Sequence, residues 1–170
     1  MNRPRPSPNL AIYLRNHEAA SQAGLDLFRR TAAAQRRRTY GGLLRELRDE
    51  VRSDVDSLHQ VMRALRVRPN PLLAAALRTG ERVGRLKPNG RLIRRSPLSD
   101  LVEIEALGTA ARAKASGWRA LLAIDLSRYA DLPDVTELLA RAEHQIARID
   151  TLHHLTAARV LGESGGEDRT

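Results

Sequence analysis

Apolar residues recur every three or four positions over four long stretches of the chain, the period of amphipathic helices. The first stretch, residues 9–36, carries a stripe of Leu10, Leu14, Glu18, Ser21, Leu25, Phe28 and Ala32. The second, 43–66, carries Leu44, Leu47, Val51, Val55, Leu58, Met62 and Leu65. The third, from about Ser96 to Ile124, turns Leu101, Ile104, Gly108, Ala111, Ala115, Trp118 and Leu122 inward. The fourth starts at Pro133-Asp134, with Asp134 as its N-cap, and has Leu139, Ile146, Asp150, His153, Ala157 and Val160 along its stripe. Gly41-Gly42 marks a short turn between the first two, and Arg-Pro-Asn-Pro at 68–71 stops the second.

The connections add topology. Short turns join the first and second helices and the third and fourth, whereas residues 67–97 form a long crossover that contains a short helix near 72–83. The expectation is one all-α domain over residues 9–161, built from two helical hairpins. Residues 1–8 form a disordered Pro/Arg tail, and 162–170 a disordered acidic one.

Polar residues inside the stripes carry the candidate chemistry. Asp56-Ser57-Leu58-His59 and Asp150-Thr151-Leu152-His153 each place a carboxylate three residues before an imidazole, on nearly the same face of a helix. Asp56 and His59 lie at the edge of their stripe, Asp150 and His153 within theirs. Glu18 and Glu105 stand at inward positions on the other two helices, while Glu103 is rotated away from Glu105 by roughly 200°. Four helices then offer Glu, Asp-x-x-His, Glu and Asp-x-x-His, a layout suited to a pair of metal ions.

In helix number, crossover position and this ligand layout, residues 9–161 resemble the ferritin-like superfamily, most closely its rubrerythrin-type or bacterial stress-protein branches. The resemblance implies a four-helix bundle holding two Fe or Mn ions. Glu18 and Glu105 would be terminal ligands, His59 and His153 would bind one ion each, and Asp56 and Asp150 would bridge. The open coordination positions would react with O2 or peroxide, in oxidative-stress or metal-homeostasis chemistry. The family carries Glu where this chain has Asp, and Asp reaches about 1–1.5 Å less far. The alternative reading of the same residues is a metal-free polar core, in which Asp and His satisfy one another and the bundle acts as a structural or interaction protein.

Composition narrows the rest. No Cys is present, which removes disulfides and thiolate ligands. The formal net charge is +9, yet of 29 Lys and Arg residues only Lys87 and Lys114 are lysines. Basic runs at Arg36-Arg37-Arg38 and over 82–95 have no interleaved aromatics, so base stacking is not expected and phosphate attraction is the most they offer. Residues His17, His144 and His154 are read as surface or edge positions, Trp118 as core, and Tyr13 as packing or a donor to a carboxylate. No apolar run reaches the ~20 residues of a membrane span, and a cytoplasmic location is expected. A homodimer is the family-level expectation for assembly.

Overall fold

A computed structural model describes residues 5–73 and 96–162. All regular structure among these residues is helical: a helical stretch at 71–73 and four long helices, α1 (Pro8–Ala34), α2 (Gly41–Ala64), α3 (Pro97–Leu122) and α4 (Val135–Gly162). The expected short helix near 72–83 and the basic run over 82–95 fall largely outside the described residues.

Local chemistry sets the boundaries. Ser7 accepts a hydrogen bond from the Leu10 amide at 3.2 Å, and Ser96 does the same for Leu98 at 3.3 Å, each followed by a proline at the first helical position. Asp134 caps α4 through the Thr136 and Glu137 amides, as expected. Helix α2 ends earlier than its prolines require. Arg66 takes a left-handed conformation (φ 55°), its amide bonds the Arg63 carbonyl, and the Val67 amide reaches back to Met62 at 2.8 Å. This is a Schellman stop with an arginine where glycine is usual, fastened by burial of Val67.

Contacts between helices fix their directions. Arg15 donates to the Arg68 carbonyl, so α1 and α2 run antiparallel. A Cβ added to Gly117 would lie 2.9 Å from His17 Nδ1, and one added to Gly24 would lie 3.7 Å from Ala110, so α1 and α3 are antiparallel and close. Helices α3 and α4 are antiparallel through Arg112–Asp150 and Arg119–Glu143, and α2 and α4 through Glu50–Arg148 and Asp54–Gln145. Every packed neighbour is therefore antiparallel, and α2 and α3 run parallel across the diagonal. The end of α2 and the start of α3 lie at opposite ends of the assembly, about 36 Å apart for helices of this length. That separation is why the chain needs a long connection here.

The stripes of α1 and α2 bury largely as expected, with Leu10 and Ser21 half-buried, whereas α3 buries Leu107 and Leu121 and exposes Leu122, and Glu105, expected inward, is exposed while Glu103 is half-buried. Helix α4 is rotated by one residue. Its buried face is Val135, Leu138, Ala142, Gln145, Ile149, Leu152 and Thr156, which leaves Asp150 exposed and His153 at the margin. Two apolar clusters result. One gathers Leu14, Met62, Leu65, Trp118 and Leu138 at one end; the other gathers Phe28, Leu44, Leu47, Ile104 and Ile149 at the other.

The turn between α1 and α2 is held against the start of α3. The buried Gln35 side chain donates to Glu103 at 2.8 Å and accepts from Tyr40 at 2.9 Å, and Arg38 donates to the fully buried Asp100 at 2.8 Å. The turn is tight enough that a Cβ at Gly41 would come within 2.6 Å of the Arg36 carbonyl oxygen. Gly41→Ala is expected to destabilise the fold by about 1–3 kcal/mol, read as a lower urea midpoint, whereas Gly42→Ala, whose Cβ would meet only the Arg45 side chain at 3.8 Å, leaves the midpoint nearly unchanged.

Candidate functional site

The six expected ligands fall into two separate pairs and two isolated carboxylates. On α1 and α2, His59 Nε2 lies 3.2 Å from Glu18 Oε1. Glu18 is buried and its Oε1 also accepts from Gln22 at 3.2 Å, while its Oε2 has no partner among the described residues. On α3 and α4, His153 Nε2 lies 3.1 Å from Glu105 Oε1; Glu105 is exposed and His153 half-buried. Asp150 is held instead by Arg112, which donates to both of its oxygens at 2.6 and 2.8 Å. Asp56 is exposed.

Helix register explains the scatter and corrects the expected convergence. With His17 against Gly117, Glu18 is level with about residue 116 of α3. Glu105 is then some eleven residues, roughly 16 Å, further along the axis, whereas paired metal ions sit about 3.5–4 Å apart. The Asp-x-x-His segments lie at the borders of their buried faces, so both Asp residues turn outward. Among the described residues no group of three or more His, Asp or Glu side chains is placed to hold a metal ion, and the residues do not fit the Fe or Mn pair that the resemblance implies.

What occupies the middle of the molecule is a different constellation. Asp54 on α2 is 2% exposed, Gln145 on α4 is fully buried, and the Lys114 ammonium of α3 contacts both. Gln145 Nε2 donates to Asp54 Oδ2 at 3.1 Å, and Arg141 Nε donates to Asp54 Oδ1 at 2.6 Å. On the outer side Arg148 bridges Glu46 and Glu50. A buried carboxylate is costly unless paired and hydrogen-bonded, and here both oxygens of Asp54 are engaged by groups from two other helices. Lysine suits the position because two acceptors converge on one compact nitrogen, a geometry a planar guanidinium does not match.

This layer lies between the two apolar clusters. Asp54 falls between Val51 and Leu58, Lys114 between Ala111 and Ala115, and Gln145 between Ala142 and Ile149, with the members on either side belonging to opposite ends of the core. The sequence reading passed over Asp54 and Gln145. The available signal was Lys114 itself, one of two lysines in an arginine-dominated chain, at a position three residues from both Ala111 and Gly117 on a buried face.

Next to the layer, between α1, α2 and α3, is a cavity of about 120 Å³. Its walls are mainly apolar, with Lys114, Asp54, His17 and Trp118 among the residues that line it. The His17 ring packs on Tyr13 at 4.4 Å between centroids, and partial burial pushes its pKa below the ordinary 6.5.

No protein-family model, curated protein or solved structure matches the chain.

Burial pushes Lys114 below its ordinary pKa of 10.5, against the pull of Asp54. The unfolded chain therefore binds more protons than the folded one between the folded pKa and 10.5, and the unfolding free energy rises with pH across that window. Subtracting the pH dependence of a Lys114→Met variant, measured by thermal unfolding, is expected to isolate this upward slope.

Proposed function

We propose that this protein is a ferritin-like four-helix bundle that works without a metal centre, as a non-enzymatic scaffold or binding protein. The topology that supports the ferritin-like reading is the pair of antiparallel hairpins with α2 parallel to α3 across the diagonal, joined by the long connection. The observation that carries the metal-free reading is the Lys114 ammonium on Asp54, where the two hairpins meet. A cation of the chain's own already takes the carboxylate at the centre, and a metal ion there would meet Lys114 and Arg141 at close range with one carboxylate to bind. The two Glu–His pairs offer two ligands each at separate levels, too few for a tight transition-metal site. Asp150 is further committed to Arg112.

Among the described residues no helix is long and apolar enough to cross a membrane. The basic run at 36–38 is partly neutralised, since Arg38 is paired with the buried Asp100; this lowers what it can offer to phosphate and favours the scaffold over a nucleic-acid role.

Protein purified without chelator is expected to carry well under ~0.1 Fe or Mn per chain, with no difference between the natural sequence and a His59→Ala/His153→Ala variant. Metal near one ion per chain in the former that disappears in the latter overturns the proposal. In parallel, Asp54→Ala strands Lys114 and is expected to cost about 3–5 kcal/mol in denaturant unfolding.

A further inference from the structure

The cavity beside the polar layer is the feature that the scaffold reading leaves unused. It is bounded by Gly24 on α1, Val55 and Leu58 on α2, and Lys114, Gly117 and Trp118 on α3. Ala20 and Ala113, both exposed, also line it, so it reaches solvent between α1 and α3. At about 120 Å³ it approaches the ~150 Å³ of an engineered apolar cavity that stays dry and takes up benzene. Its size therefore suits a single six-membered ring, with the opening to solvent giving room beyond it.

The Lys114 side chain on its wall has donor capacity to spare. Trp118 lines the cavity with the rest of its ring, since its indole Nε1–H is covered and has no hydrogen-bond partner among the described residues. The Lys114 ammonium has three N–H groups, of which Asp54 and Gln145 take one each. The cluster's charges balance: Lys114, Arg141 and Arg148 stand against Asp54, Glu46 and Glu50. No surplus charge is left to offset the cost of bringing an ionised group into these apolar walls.

We propose that this cavity is a binding site for a small neutral aromatic molecule carrying one hydrogen-bond acceptor, the ring lying against α1 and α2 and the acceptor directed to the Lys114 ammonium. The assignment goes beyond the scaffold reading and does not depend on the absence of metal.

Trp118 is the chain's single tryptophan, so its indole N–H gives one unambiguous resonance. Phenol and benzene are titrated into the isotope-labelled full chain and that resonance is followed by two-dimensional NMR. Phenol is expected to shift it saturably, with half-saturation at roughly millimolar concentration for a ligand this small and about fivefold below that of benzene, the increment of one hydrogen bond. An Ala20→Phe variant, altered at an exposed position and shown to be folded by its unchanged melting curve, is expected to lose the effect. No saturable shift with phenol up to tens of millimolar overturns the site. Equal affinity for phenol and benzene overturns the acceptor assignment, and undiminished binding by Ala20→Phe overturns the placement.

Discussion

One of the buried carboxylates, Asp54, sets terms for the rest of the molecule. It stands between two apolar clusters, and its charge is tolerated only because Lys114 from α3 and Arg141 and Gln145 from α4 converge on it. Rotating any one of these helices by a residue, some 100°, would leave a charge unpaired in the core. Apolar packing alone is permissive about such rotations, since neighbouring aliphatic side chains substitute for one another at modest cost. The polar layer therefore contributes phase and register more than net stability.

The layer also makes the assembly lopsided. Between α2 and α4 the space is spanned by long side chains, Glu46, Glu50 and Arg148 with Arg141 and Gln145, which hold the backbones apart. Between α1 and α3 the facing residues are small, and Gly24 and Gly117 let the backbones approach. The same small residues fail to fill the volume beside Lys114, and the cavity lies at that mismatch. Close helix approach and an unfilled pocket thus share one cause.

How much of this was legible in the chain varies with the element. Helices α1 and α2 show their buried faces in the spacing of Leu, Val and Phe, α3 shows part of its own in Leu101 and Ile104, and the cap at Asp134 follows from residue type. Helix α4 hides its phase because Gln145 and Thr156 interrupt the buried stripe with polar side chains, and an adjacent register with Asp150 and His153 looks as good. Each glutamate does meet the histidine of its own hairpin, Glu18 with His59 and Glu105 with His153. Whether such pairs share a level depends on the stagger between hairpins, which is decided by Gly117 receiving His17 and by the Gln35–Glu103 bond, contacts between residues distant in sequence. Periodicity carries no information about that stagger.

The confinement of Lys114 has a chemical corollary. Among the described residues it is the sole primary side-chain amine, and it is enclosed by Asp54, Gln145 and the cavity wall. An acylating reagent entering through the cavity meets a protonated nitrogen held by Asp54, and reacts only when that ion pair opens. Its rate of acylation, resolved by mass spectrometry from that of the α-amino group and Lys87, would report how often the molecule breathes at its centre.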